Sequence, residues 1–240
     1  MDRFVDDALV LSTVDFGEAD RIVTLFTRDH GRLSAFAAGA RKSKRRFAGA
    51  LEPTTHLKAS LVSRRGDTFR LDGADIVRSF LGLSQQLPLI ARALYCLELC
   101  RELTRDHQPH EALFDALRGY LEDLDEKRAG PTSLLKFELD ALEHTGFMPH
   151  LGACALCGRS PEEKPRFDAQ AGGVVCSSCR PTSRPVPPAV VEGLLRLQAG
   201  ERVPLGAEHR AHARALLNLF ITHHLGRRLK SVDFLEQVED

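Results

Sequence analysis

The chain has 240 residues, of which 43% are hydrophobic, so it can bury a substantial core and divide into two or three units. Its 33 basic and 33 acidic residues cancel, so an electrostatic partner must be sought in local clusters of charge. No apolar stretch approaches the length of a membrane span, and the acidic start Met1-Asp2-Arg3 is not that of a signal peptide. We therefore expect a cytoplasmic protein without a membrane partner.

The first part of the chain reads as short strands. Apolar and β-branched stretches separated by glycines predict five of them, over residues 8–14, 21–27, 32–37, 57–62 and 69–71. Five short strands favour a small, partly closed barrel, for which the OB-fold is the common solution and an SH3-like barrel the alternative. We assign residues 1–80 to an OB-fold nucleic-acid-binding domain.

After residue 80 the apolar residues follow helical spacing instead. The pattern predicts helices over residues 87–103, 111–124, 134–142, 190–197 and 208–225. The predicted fold class is therefore α+β, with the barrel followed by a helical domain. We place the first part of that domain at 81–150, a cysteine-bearing element at 151–182, and the C-terminal part at 183–240.

Two cysteine pairs, Cys154-x-x-Cys157 and Cys176-x-x-Cys179, carry the most specific motif of the chain. Each pair forms a turn that aims two thiolates at one point, and the spacer lets the second turn complete a tetrahedral shell for Zn²⁺. Four protein ligands leave no position for water or substrate, so the predicted ion is structural. The alternatives are two disulfides or two chance pairs. Cys96 and Cys100, four residues apart in a helical pattern, are assigned to core packing.

Positive charge gathers in the second half of the predicted barrel. Between residues 41 and 70 the only acidic residues are Glu52 and Asp67. The basic residues of this stretch are Arg41, Lys42, Lys44, Arg45, Arg46, Lys58, Arg64, Arg65 and Arg70. On a small barrel such a cluster favours DNA binding, since several cations on a loop can follow a phosphate backbone. A solvated loop, or an acidic protein tail as partner, is the alternative.

A second, sparser basic set lies near the C-terminal end of the sequence. Its helical spacing favours a solvated helix face. Its members are Arg210, Arg214, His223, His224, Arg227, Arg228 and Lys230.

The aromatic content indicates what kind of DNA contact the barrel makes. The chain has no Trp and only two Tyr, both outside the barrel, so the candidates for stacking on bases reduce to Phe47 and Phe69, either of which could belong to the core. The contact would then be mainly electrostatic and would leave base edges free. A protein that neutralises phosphates without holding the bases favours the pairing of complementary strands.

No catalytic constellation is convincing, and we expect no enzyme. Asp15, Glu18 and Asp20 are close enough to suggest the metal site of a nuclease, but between two strands they more often form a solvated turn. His144 and His150 flank the cysteine motif and could compete as ligands, although four thiolates already fill the shell. A zinc-ribbon transcription regulator, whose cysteine element itself contacts DNA, remains the alternative function.

Several stretches resemble one family in the right order along the chain. Residues 17–27 (GEADRIVTLFT), Gly31 and residues 39–42 (GARK) resemble the N-terminal signature of the bacterial recombination-mediator family RecO. Residues 136–139 (KFEL), 146–149 (GFMP) and 154–158 (CALCG) resemble its central segment, whereas the C-terminal third matches loosely. The resemblance implies an OB-fold, a helical domain with a zinc-binding element, and no enzymatic turnover.

The resemblance also implies a function. Proteins of this family bind single- and double-stranded DNA, anneal complementary strands, and act with RecR to help RecA load onto DNA coated by the single-stranded DNA-binding protein SSB. By position, the loop from Arg41 to Arg46 would contact DNA and the four cysteines would bind zinc, although some members lack the cysteines. We further expect a monomer that associates with the nucleoid when active, with a groove for the SSB C-terminal tail in the helical domain.

Overall fold

A computed structural model describes residues 2–43, 46–63, 68–160 and 163–239. The chain forms two compact units. The first unit contains Met1–Arg128 together with Lys230–Asp240, and the second contains Ala129–Leu229. Within the described ranges, no helix is both long enough and apolar enough to cross a membrane.

Five strands of the first unit close into a barrel with the strand order β1-β2-β3-β5-β4. The strands are β1 (Arg3–Phe16), β2 (Asp20–Thr27), β3 (Gly31–Ala37), β4 (His56–Ser63) and β5 (Phe69–Arg78). All neighbours are antiparallel except β3 and β5, whose parallel pairing joins Ala35 to Phe69 and closes the barrel. The predicted OB-fold is confirmed, with β1 and β5 longer than expected.

Alternating side chains explain why these segments form a barrel. In β3 the residues Leu33, Ala35 and Ala37 are buried while Ser34 is exposed, the period-two pattern of a strand with one face in a core. Leu25 and Leu61 fill the same interior from β2 and β4. A register shift between Val10 and Ser12 interrupts the pairing of β1 with β2. Such an irregularity bends a strand, which allows the long β1 to pair with β4 first and β2 later.

Helices cover one end of this barrel. A short 3₁₀ helix (Leu81–Gln85) leads into α1 (Leu87–Leu103) and α2 (Glu111–Asp125). Phe114 of α2 packs edge-on against Phe26 of β2, with ring centroids 5.8 Å apart. Arg28, in the turn between β2 and β3, pairs with Asp115 of α2 at 3.1 Å. The β2–β3 turn therefore faces α2, and the opposite end of that hairpin is left for other contacts.

The last helix of the chain returns to the first unit. Helix α6 (Ser231–Glu239) packs against α1, where the buried carboxylate of Glu98 accepts hydrogen bonds from the backbone N–H of Lys230 and of Ser231. These N–H groups stand at the start of α6, where a helix has no internal acceptors. The sequence patterns did not predict α6, because its N-terminal acceptor comes from a residue far away along the chain.

The second unit combines three helices with a small sheet. The helices are α3 (Ser133–His144), α4 (Pro188–Gln198) and α5 (Ala207–Leu225), and the sheet has the order β7-β6-β8 from β6 (Arg166–Asp168), β7 (Gly173–Val175) and β8 (Arg184–Pro185). Arg214 of α5 forms an ion pair with Glu138 of α3, whose side chain is fully buried. The prediction of a solvated basic face is therefore wrong for Arg214, because α5 turns this cation toward α3.

Candidate metal centre and nucleic-acid interface

The four predicted cysteine ligands lie together beside the small sheet. The sulfur atoms of Cys154, Cys157, Cys176 and Cys179 are all within 4.8 Å of one another, and those of Cys157 and Cys176 are 3.7 Å apart. A tetrahedron with Zn–S distances of about 2.3 Å has sulfurs about 3.8 Å apart. A disulfide would require about 2.05 Å. All four are free thiols, so the spacing fits a metal shell and excludes disulfides.

The backbone holds both cysteine turns in place. The N–H of Gly158 donates to the carbonyl of Cys154 at 2.8 Å, and Gly158 takes a φ of 71°, which favours glycine. The N–H of Ala155 donates to the carbonyl of Val174 in β7 at 2.8 Å. Because Cys176 directly follows β7, this bond links the first cysteine turn to the second. The two halves of the cluster are thus joined by backbone hydrogen bonds independent of any ion.

Hydrogen bonds within the cluster shift the pKa values of its thiols in opposite directions. The backbone N–H of Cys176 donates to the sulfur of Cys154 at 3.4 Å, and this bond lowers the pKa of Cys154 to about 6. The hydroxyl of Ser178, 3.2 Å from the sulfur of Cys176, lowers the pKa of that thiol. Cys179 donates to Cys176 instead, which raises the pKa of Cys179 to about 12. A divalent cation that binds all four sulfurs would favour their thiolate forms.

Other predicted ligands lie outside the cluster. His150 pairs through its backbone with Gly173, where an added Cβ would come 2.1 Å from the carbonyl oxygen of His150. His144 is the last residue of α3. Asp15 pairs with Arg21 at 3.1 Å, and Asp20 accepts from the backbone N–H of Gly39 at 2.7 Å. Among residues the structure describes, only the four cysteines form a group of metal-binding side chains.

The basic loop is defined by its described residues, 39–43 and 46, and lies at the end of the β2–β3 hairpin far from α2. The N–H of Arg41 donates to the carbonyl of Ala19 at 2.9 Å, and with the Gly39–Asp20 bond this attaches the loop to the β1–β2 turn. Strand β2 separates the two ends of the hairpin by about 23 Å at 3.3 Å per residue. The basic loop therefore lies at the end of the hairpin opposite to the turn that contacts α2.

The cations of the basic loop differ in how far they are engaged. Arg41 reaches a carboxylate oxygen of Asp15 at 3.4 Å. Arg46 lies over the ring of Phe47, with its guanidinium carbon 4.6 Å from the ring centroid, and donates to the carbonyl of Ala38. Lys42 is exposed. Within the described ranges, neither Lys42 nor Arg46 has a carboxylate partner, so these two charges are available to an anion.

The remaining predicted DNA-binding residues are not gathered at one place. Lys58 of β4 pairs with Asp7 in the N-terminal half of β1 at 2.8 Å, away from the β1–β2 turn. Arg70 of β5 holds both oxygens of Asp72, at 2.5 and 3.0 Å, and thereby lowers the pKa of Asp72. Four further predicted contacts lie outside the described residues, namely Lys44, Arg45, Arg64 and Arg65.

The aromatic candidates for base stacking differ from those expected. Phe47 is buried in the barrel core, and Phe69 is partly buried against it. Phe16, at the end of β1, is instead 53% exposed, and its ring makes an edge-to-face contact with Phe36 of β3. Neither ring was among the predicted stacking residues, because Phe16 lies beyond the predicted end of the first strand and because the exposure of a ring depends on tertiary packing.

The closed five-stranded barrel and the four-cysteine cluster define a class, an OB-fold protein with a helical unit whose four cysteines are placed to hold a metal ion. Comparison with known families identifies the member of that class. The family described as Recombination protein O N terminal matches residues 1–80, and Recombination protein O C terminal matches residues 84–233. The chain therefore belongs to the RecO family of DNA repair proteins, as the resemblance predicted, and this family serves recombinational repair.

Curated relatives agree over the whole length of the chain. It is 62% identical over 241 residues to a DNA repair protein RecO of Myxococcus xanthus, with 99% of both chains covered. It is 48% identical to a DNA repair protein RecO of Anaeromyxobacter dehalogenans, covering 99% of this chain and 98% of the relative. A Geobacter sulfurreducens protein of the same name is 39% identical, with 97% of both chains covered.

Proposed function

We propose that this protein binds single- and double-stranded DNA through its barrel, anneals complementary strands, and acts with RecR to help RecA load onto SSB-coated DNA. The observation that carries the proposal is the full-length match to DNA repair proteins, on a chain whose barrel presents a basic loop. Lys42 and Arg46 contribute positive charge without a carboxylate partner among the described residues. The protein would work as a binding protein, with no chemical step.

Electrostatics supplies the annealing activity in this proposal. Each phosphate that the loop neutralises releases a counterion, so binding weakens steeply as salt rises. Two strands held by their phosphates repel each other less and keep their base edges free to pair. The loop is suited to this because its backbone is attached to the β1–β2 turn through Ala19 and Asp20, which presents its side chains from a fixed base.

The cysteine cluster would hold one structural Zn²⁺ per chain. A bound ion of this kind supplies folding free energy and no reactivity, because four thiolates leave no open position. The cluster supports the second unit directly, since Cys176 follows the last residue of β7. Arg159 lies beside the thiols, and its hydrogen bond with Cys157 raises the pKa of Arg159. This guanidinium would offset part of the negative charge of four thiolates around a divalent ion.

In this proposal the SSB tail would bind to the second unit. A shallow apolar groove is flanked by the cation Arg184 and by His212, and an acidic peptide with an apolar end suits such a groove. Its apolar walls are Phe167, Pro185, Val186, Pro187, Leu216 and Leu219. We also propose that the protein is a monomer by itself and that it associates with the nucleoid through DNA and RecR.

Annealing of two labelled complementary oligonucleotides tests the proposed function. We expect the protein to accelerate annealing, with an effect that fades as salt rises and that persists when SSB coats the strands. Binding without acceleration would contradict the strand-pairing role. In that case the zinc-ribbon regulator becomes the better explanation, and removing Arg159, Lys164 and Arg166 from the cysteine element would lower DNA affinity. Under our proposal the same three substitutions leave affinity intact.

A further inference from the structure

A row of side chains, exposed at Val14 and half-buried at its other members, crosses four strands on the outer face of the barrel. Val14 of β1 is paired with Ile22 of β2, Ile22 with Phe36 of β3, and Phe36 with Arg70 of β5. Residues directly opposite each other on neighbouring strands point to the same face of a sheet. With strands about 4.8 Å apart, the row spans about 14 Å.

Two aromatic rings make this row suited to flat ligands. Phe16 lies two residues beyond Val14 on the same face, and its ring centroid is 5.8 Å from that of Phe36, with the planes at 84°. An edge-to-face pair uses one face of one ring, and Phe16 in particular keeps much of its ring exposed to solvent. Phe16 is 53% and Val14 is 62% exposed. Such exposure of apolar side chains in a contiguous patch marks a binding surface.

The charges around the patch indicate which ligand it takes. Phe16 immediately precedes the β1–β2 turn to which the basic loop is bonded through Ala19 and Asp20. Asp15 beside it is paired with Arg21 and Arg41, and Asp72 is paired with Arg70 and Arg3, so these carboxylates are already balanced. Lys42 and Arg46 then supply positive charge without a carboxylate partner among the described residues, while Glu18 of the β1–β2 turn is an exposed carboxylate without a cation partner among them.

We infer that Phe16 and Phe36 form a stacking platform for unpaired nucleobases of single-stranded DNA whose phosphates are held by the adjacent basic loop. This inference rests on the proposed DNA binding and deepens it. Apolar rings beside cations match the two parts of a nucleotide, and stacking tolerates every base because each has a π face. Paired bases inside a duplex keep their faces stacked on one another. The platform therefore adds affinity for single strands only.

The test compares single and double strands on the full-length protein. Fluorescence anisotropy measures the affinity for a labelled oligothymidylate and for a blunt duplex of the same length, over a salt series. We expect Phe16→Ala and Phe36→Ala each to weaken single-strand binding by about fivefold or more, with duplex affinity and the salt slope unchanged. Phe16→Tyr, which keeps a stacking face, should bind like the wild type. Phe16→Leu, which keeps only apolar area, should lose affinity like alanine.

Controls separate a failed platform from a failed DNA-binding function. Val5→Ala removes an exposed apolar side chain from the same strand, 61% exposed, and should change nothing. Unchanged single-strand affinity for Phe16→Ala, or equal weakening on both DNAs, overturns the platform. If Lys42→Ala/Arg46→Ala weakens binding to both DNAs while Phe16→Ala does not weaken single-strand binding, the platform is refuted and the proposed DNA binding is retained. A wild-type protein that binds neither DNA overturns both. Thermal unfolding of each variant verifies that the barrel remains folded. Because Phe16 is exposed, replacing it should change the stability little.

Discussion

Removing Lys42 and Arg46 should reduce the salt dependence of DNA binding by a calculable amount. Each cation that neutralises a phosphate contributes about 0.9 to the slope of log affinity against log salt on duplex DNA, and about 0.7 on single strands. Both side chains lack a carboxylate partner within the described residues, so both can release counterions. Lys42→Ala/Arg46→Ala should therefore flatten the slope by about 1.8 on duplex and about 1.4 on single-stranded DNA.

Releasing Arg41 from its ion pair should change the salt dependence in the opposite direction. Its guanidinium is held by Asp15 at 3.4 Å, so part of its charge is already compensated. Asp15→Asn should release Arg41, whereas Arg21 keeps its ion pair with Glu52 at 3.0 Å. The slope should therefore steepen by up to about 0.9 on duplex DNA, the opposite direction from the double variant. Titrations by fluorescence anisotropy over a salt series measure both changes.

A control with the same loss of charge makes the result specific. Lys164→Ala/Arg202→Ala removes two exposed cations from the second unit, outside the barrel, and should leave the slope as it is. If the loop variant keeps the wild-type slope, or if the control changes it equally, the assignment of the basic loop to phosphates is refuted. A change in affinity without a change in slope would likewise contradict a counterion mechanism.

Three further predictions concern metal and stability. Cys154→Ser should lower the zinc content, measured by elemental analysis, and should destabilise the second unit while the barrel keeps binding DNA. The control Cys96→Ala, outside the cluster, should leave the zinc content unchanged. Arg214→Ala should cost about 3–5 kcal/mol in urea unfolding because it leaves Glu138 buried without its cation, and Arg214→Ala/Glu138→Leu should recover most of the loss. Burial lowers the pKa of His56 below 6.5, so just below that pH the unfolded chain binds more protons than the folded chain. Stability should therefore fall on acidification through this window, and the fall should be less steep in His56→Asn.

Asp7, whose carboxylate lies 3.0 Å from a ring nitrogen of His56, adds a second and separate pH dependence. Although partial burial raises the pKa of Asp7, hydrogen bonds from Lys58 and His56 outweigh burial and leave the pKa lowered. A carboxylate with a lowered folded pKa stabilises the fold above its unfolded value and loses that contribution as the pH falls. The two groups titrate in separate windows, His56 below about pH 6.5 and Asp7 below about pH 4. A stability curve measured against pH that rises through the upper window in His56→Asn as in the wild type would contradict the assignment to His56.

The strands and the metal ligands could be predicted because both depend on short-range pattern. Period-two alternation around Leu33 to Ala37 determines which face of β3 is buried, whatever lies across the barrel. Likewise, each Cys-x-x-Cys pair forms its own turn, so the sulfurs of Cys154 and Cys157 converge before any distant contact is made. The family signature was equally readable, since it consists of contiguous stretches.

Side-chain exposure and pairing were decided only by the tertiary structure. Phe47 and Phe16 are the same residue type in the same domain, yet the closure of the barrel buries one and leaves the other 53% exposed. Glu98 and Ser231 are brought together although they are 133 residues apart, and so are Arg214 and Glu138, 76 residues apart within the second unit. Sequence by itself determined where strands, helices and thiolate turns form, because their causes act over a few residues. Which cations remain available for DNA, and which rings face solvent, depends on partners that only folding brings near.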